Sequence, residues 1–197
     1  EISNLKSNLE GEVRSRTRHL TSQQQALAEL MTRHEFREGS LLQAMKTLTT
    51  VAAEVLDIDR ASVCAATDDP AEFEVVNVYD RRTNIHESAY AIPVDHILPG
   101  RSSACPNSYF SSNDLLSEPD LSDAARAYAL KRGIRSVIDL PILLDGRLAG
   151  FFCIRVCDRT RTWTAEDRLF AVAMSNMAAL VLQRIERQKA KAEIIAG

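Results

Sequence analysis

Apolar residues return at helical intervals from the start of the chain to residue 31. Ile2, Leu5 and Leu9 have heptad spacing, and the step from Leu9 to Val13 inserts a stutter. Val13, Leu20 and Leu27 then resume a seven-residue period, with Leu30 and Met31 closing the run. The alternate core positions after the stutter are weak (Arg16 or Thr17, Gln23 or Gln24). The pattern predicts a marginal two-stranded coiled coil that needs a neighbour to hold it. After a break at Gly39 and Ser40, Leu41, Leu42, Met45, Leu48, Val51, Ala52 and Val55 mark a second amphipathic helix. From Arg60 the period changes to that of strands. "RASVCAAT" and "EFEVVNVYD" are joined by the turn-forming "DDPAE", and "SAYAIPV" is a weaker strand that Pro93 confines to an edge or an end. Residues 94 to 120 are irregular, with Pro99, Gly100, Pro106 and Pro119, as binding loops often are. A helix over "LSDAARAYALKR" ends at Gly133. "SVIDLPILL" and "RLAGFFCIRVC" flank Asp145-Gly146, a strong hairpin signal.

Thr164 is the expected N-cap of a final helix, with Asp167 at capping-box spacing and no glycine or proline before Gly197. From 164 to about 190 its apolar residues cover two faces. Leu169, Val172, Met177 and Leu180 lie on one, and Phe170, Met174, Val181 and Ile185 on the other. A sheet alone needs one stripe, so the width predicts a second neighbour, most simply the same helix of a second subunit. The expected dimer interface comprises Leu20, Leu27, Phe170, Met174, Val181 and Ile185; the alternative is packing against residues 1 to 33 of the same chain. The fold expected is α+β: an antiparallel sheet of five to six strands flanked by helices, with long N- and C-terminal helices forming a dimeric helical bundle.

Composition narrows the function. With 45% hydrophobic and 26% charged residues, the 197-residue chain reads as globular, and a net charge of −3 gives no reason to expect nucleic acid as a partner. The most apolar run, 169 to 182, is broken by Ser175 and Asn176, so no membrane insertion is expected. Four cysteines without a paired framework suggest a reducing, cytoplasmic setting. Because the chain opens on Glu1, it is expected to be a piece of a longer polypeptide. The histidines His19, His34, His86 and His96 show no metal spacing, and no catalytic constellation stands out.

Four stretches carry a resemblance: "DRASV" (59–63), "YALKRGIRSVIDLPI" (128–142), "DGRLAGFFCI" (145–154) and "RTWTAED" (161–167). In this order they resemble the GAF family of sensory domains, and "LEGEVRSRTRHL" (9–20) looks like the helical linkers of bacterial histidine kinases and cyclic-di-GMP enzymes. The resemblance implies a linker helix over 1–35, a sensory domain over 36–185 and an exit helix over 186–197 leading to an output domain. It implies small-molecule binding or dimerisation rather than catalysis. Ligand binding would reshape residues 94–135 and shift the sheet against helices 40–56 and 164–190. A spacer with a filled pocket, or a reductase of free methionine sulfoxide, are the alternatives.

By the same resemblance the pocket lies between the sheet and the segment 94–135. Tyr109, Asn113, Asp114 and Tyr128 are its candidate hydrogen-bonding groups, with Ser136 and Arg155 pointing in from strands. Alternation places Phe151, Cys153 and Arg155 on one face, so Arg155 either favours an anionic ligand, or is exposed at an edge or paired with Asp139 on the next strand. Many relatives carry Glu-His where this chain has Arg155-Val156, so no familiar ligand follows. Arg161, Trp163, Asp167 and Arg168 match the cyclic-nucleotide signature only in part. An Arg161–Asp167 clamp with Trp163 as packing anchor is the expectation. "DAARAYALK" lacks the cysteine of bilin-binding members, so no covalent bilin is expected; Cys105 would be an irregular attachment point. Cys64, Cys153 and Cys157 are expected to be buried small hydrophobes.

Overall fold

The computed structural model describes residues 2–96 and 109–196, with the side chains of residues 2, 3, 95, 193 and 196 excepted. Pro99, Gly100, Cys105 and Pro106 lie outside the described residues. Helices α1 (Ile2–Thr32), α2 (His34–Arg37) and α3 (Leu41–Val55) open the chain. Strands β1 (Arg60–Ala66), β2 (Glu72–Asp80), β3 (Ile85–Glu87), β4 (Tyr90–Pro93) and β5 (Phe110–Ser112) follow. Helix α4 (Asp123–Arg132), strands β6 (Ile134–Leu144) and β7 (Arg147–Cys157), and helix α5 (Ala165–Ala196) complete it.

Local chemistry sets the boundaries. Ser40 caps α3 in a reciprocal box with Gln43, and Thr164 does the same for α5. The backbone N–H of Asp167 donates to Thr164 Oγ1 at 3.1 Å, and that of Thr164 donates to Asp167 Oδ2 at 3.2 Å. Gly133 closes α4 in the left-handed conformation. Asp145 and Gly146, at φ 49° and 77°, form the two-residue turn between β6 and β7.

The strands form one antiparallel sheet in the order β3-β2-β1-β7-β6-β5, with β4 also on β2. The described residues thus supply seven strands, not five to six. Strands β3 and β5 have three residues each, too few for alternation to register in sequence, and β3 and β4 share the outer edge of β2. Gly150 permits the close approach of β7 to β1, because a Cβ there would sit 2.0 Å from the Cys64 carbonyl oxygen.

One sheet face is covered by α3 and α5. Met45, Leu48, Ala52, Val63, Phe152, Ile154, Phe170, Met174, Ala178 and Val181 form the main core. This corrects the interface expectation. Phe170, Met174 and Val181 are buried in their own chain and are not free for a partner, while Ile185 and Leu27 are partly buried beside them. Met177 joins the same core. The open apolar face of α5 is the opposite one: Leu169 is 70% exposed, Leu180 is 61% exposed, and Val172 also faces outward. Leu20 remains exposed.

The second half of α1 lies along α5 of the same chain, the alternative weighed from sequence. Leu30 is buried in the main core, His19 Nε2 lies 3.2 Å from Asp167 Oδ1, and Arg16 Nε donates to Glu166 Oε1 at 2.8 Å. At the other end, Arg184 Nη2 donates to the carbonyl of Gly39, just past α1 and α2. These contacts make α1 and α5 parallel. Leu5, Leu9 and Val13 therefore overhang one end of the domain, exposed, and Ile194 and Ile195 overhang the other. Residues Ala165–Ala192 are long and apolar enough to cross a membrane by length and composition alone, with a mean hydropathy of 1.2. One side of this helix packs on the sheet, through Phe170, Met174, Ala178 and Val181.

Candidate functional site

A cavity of about 200 Å³ opens on the sheet face away from α3 and α5. Its floor follows from strand alternation: Arg60, Ser62 and Cys64 on β1, and Cys153 and Arg155 on β7. Between Val63 and Cys64 the pairing of β1 skips Val76 of β2, a bulge that turns both Val75 and Val78 toward the cavity. Ile85 and Glu87 of β3 and Tyr90 and Ile92 of β4 form one wall. Tyr128 and Arg132 of α4, with His96, form the roof. The His96 and Tyr128 rings stack with centroids 4.0 Å apart, and the Arg132 guanidinium sits 5.8 Å from the Tyr128 ring centre.

A row of charges crosses the floor. Arg60 faces Asp80 on one neighbouring strand and Arg155 on the other, in direct register. Arg60 Nε donates to Asp80 Oδ2 at 2.6 Å. Burial by itself would raise the Asp80 carboxyl, but hydrogen bonds from Arg82 and Arg60 outweigh it and hold the pKa at about 2. Arg155 Nη1 donates to Asp139 Oδ1 and to the Ile154 carbonyl. Burial opposes the Arg155 charge, yet the Asp139 carboxylate more than compensates and keeps the guanidinium protonated. Arg155 therefore pairs with Asp139, and it also lines the cavity. Cys64 and Cys153 are buried, as expected, and both also line the cavity. The hydrogen bond with Cys64, followed by burial, raises the Cys153 thiol well above its ordinary value.

Of the residues read from sequence, Tyr128 and Arg155 reach this cavity and four do not. Tyr109 is 52% exposed. Asp114 is held by Ser117 at 2.9 Å and by Nε and Nη2 of Arg135 at 3.0–3.1 Å. Ser136 Oγ donates to the Asn113 carbonyl and accepts the backbone N–H of Arg161 at 2.7 Å. Asn113 Oδ1 accepts the backbone N–H of Trp163 at 3.0 Å. These short polar side chains tie loops to the sheet and do not line this cavity. The sequence reading missed Arg60, Asp80, Glu87, Arg132 and His96. For Arg60 a signal existed, since alternation from Cys64 puts it on the face shared with Ser62; the others come from elements whose docking sequence does not show.

A junction links the roof to the two long helices. Arg126 of α4 donates to the Leu116 carbonyl at 2.7 Å, four residues after Ser112. The Ser112 carbonyl in turn accepts the Trp163 indole N–H at 3.0 Å. Arg161 lies against the Trp163 ring, 5.0 Å from its centre, and donates to both Asp167 oxygens at 3.2–3.3 Å. The expected Arg161–Asp167 clamp and Trp163 anchor are both present. Asp167, almost fully buried, also meets His19 of α1.

The fold is thus an antiparallel sheet with helices on one face and a roofed cavity on the other. The GAF domain profile matches residues 40–182, most of the chain, so this protein belongs to the GAF domain family. No curated protein sequence matches it significantly. Among solved structures it is similar to the GAF domain of an Acinetobacter phosphoenolpyruvate-protein phosphotransferase, at a TM-score of 0.64 and 9% identity, covering 85% of this chain and 97% of that one. The chromophore-binding domain of Stigmatella aurantiaca bacteriophytochrome aligns at a TM-score of 0.64 and 13% identity; the alignment covers 84% of this chain and 60% of that longer one. A domain of a putative two-component sensor histidine kinase from Sinorhizobium meliloti gives 0.58 and 15%, covering 78% and 97%. At such identities the likeness is one of fold.

Proposed function

We propose that this chain is a sensory module that binds a small molecule in the cavity and passes the change to α1 and α5, and through them to an output domain of the same polypeptide. The observation that carries this reading is the continuous contact from the cavity roof to both long helices. Arg126 joins α4 to the Leu116 turn, Ser112 and Asn113 hold Trp163, and Arg161 and Asp167 hold the start of α5 and His19 of α1. The neighbours named as a sensor histidine kinase and a bacteriophytochrome support it as relatives in fold. A dimer along the outward face of α5 would let two modules move as one, since Leu169, Val172 and Leu180 form an apolar stripe with no partner among the described residues.

Trp163 is the chain's only tryptophan, so its fluorescence reports the junction directly. A screen of charged and uncharged metabolites by thermal shift should find a compound that raises the melting temperature. The same compound should change Trp163 emission. If nothing in the screen stabilises the fold, the module is a spacer. Stabilisation with unchanged emission would remove the transmission route while leaving the binding role.

A further inference from the structure

The cavity floor carries an arrangement that sheet energetics disfavours. Arg60 and Arg155 face each other directly across β1 and β7, on the face that lines the cavity. Like charges in that position repel. Each guanidinium has an outer carboxylate, Asp80 for Arg60 and Asp139 for Arg155, but nothing negative among the described residues stands between them. Their hydrogen bonds leave donors over: Arg60 uses Nε on Asp80, and Arg155 uses only Nη1 on Asp139 and Ile154. Both side chains are mostly buried, so solvent screens the repulsion poorly.

The rest of the cavity constrains the occupant. The guanidiniums of Arg60, Arg132 and Arg155 line it beside the carboxylates of Asp80 and Glu87, and Asp139 pairs with Arg155 from outside the lining. Cys64, Val75, Ile92 and Tyr90 make the other end apolar. The His96 and Tyr128 rings, stacked on each other, border it above. Its volume of about 200 Å³ modestly exceeds the roughly 150 Å³ of an apolar cavity that takes up benzene. That is space for one ring and a small charged group.

We propose that the cavity binds a small monocarboxylic acid with a flat apolar body, its carboxylate bridging Arg60 and Arg155 and its ring lying beneath His96 and Tyr128. This deepens the sensory reading above and rests on it. The carboxylate supplies the charge missing between the two arginines and accepts their spare N–H groups; a carboxylate matches a guanidinium edge in a way that a neutral amide does not. The ring replaces water against the apolar end.

The test is calorimetric titration of the whole chain with phenylacetate, phenylacetamide and phenyl phosphate. Phenylacetate should bind at least tenfold more tightly than either of the others. Arg60→Gln leaves Asp80 paired with Arg82, so it should fold; Arg155→Lys keeps a positive charge beside Asp139. With melting curves showing both variants folded, each should weaken phenylacetate binding by tenfold or more and leave phenylacetamide unaffected. Equal binding of acid and amide, tighter binding of phenyl phosphate, no phenylacetate binding at millimolar concentration, or unchanged affinity in Arg60→Gln would each overturn the proposal. A neutral or cationic hit from the metabolite screen would overturn it too, while leaving the sensory role intact.

Discussion

At the scale of single residues, Asp80 and Trp163 are each held by named partners, and removing a partner exposes the cost. Asp80 is ionised between Arg60 and Arg82, its pKa lowered from 3.8 to about 2. A lowered carboxylate pKa stabilises the fold above the unfolded value and loses that stabilisation as pH falls toward the folded value. Asp80→Asn should therefore be less stable than the parent at neutral pH. The gap should close as pH falls from 3.8 to about 2, as urea denaturation at several pH values would show. Trp163→Phe removes the indole donor and leaves the Ser112 carbonyl unmatched in a buried place. A loss of about 2 kcal/mol is expected by the same method, the usual cost of orphaning a buried hydrogen-bonding group.

Among the elements, the contact between β1 and β7 is the least forgiving. A methyl at Gly150 would meet the Cys64 carbonyl, which is backbone and cannot swing away. Gly150→Ala should cost roughly 2 kcal/mol or more, as overpacking at a rigid contact does. It should also perturb the cavity floor, because Cys64 lines it. The check is a lower denaturation midpoint with an unchanged slope, together with weaker binding of whichever compound the screen selects.

For the molecule as a whole, the parallel course of α1 and α5 places the start of α1 and the end of α5 at opposite poles, as the proposed relay along these helices requires. The proposed dimer uses the outward stripe of α5. Leu169→Glu with Leu180→Glu charges that stripe without touching the core, since both residues are largely exposed. In light scattering the parent should show twice the mass of one chain and the double variant a single mass, with matching circular dichroism. A monomeric parent at tens of micromolar would end the dimer reading.

Much of this architecture is written locally. The capping boxes at Ser40 and Thr164, the Gly133 stop and the Asp145-Gly146 turn each depend on residues within a few positions, so reading along the chain finds them. The α+β class and the GAF resemblance follow from the order of those signals. What sequence could not decide is which of the two apolar faces of α5 meets the sheet, because both stripes are oily and only docking chooses between them. The same holds for the site. Alternation placed Arg155 on its face, but its neighbours Arg60, Asp80, Arg132 and His96 come from four separate elements, and their meeting is a property of sheet register and of where α4 settles. Asn113 and Ser136 look like ligand groups in sequence and turn out to be ties, because a short polar side chain serves either purpose until packing buries it against a backbone partner.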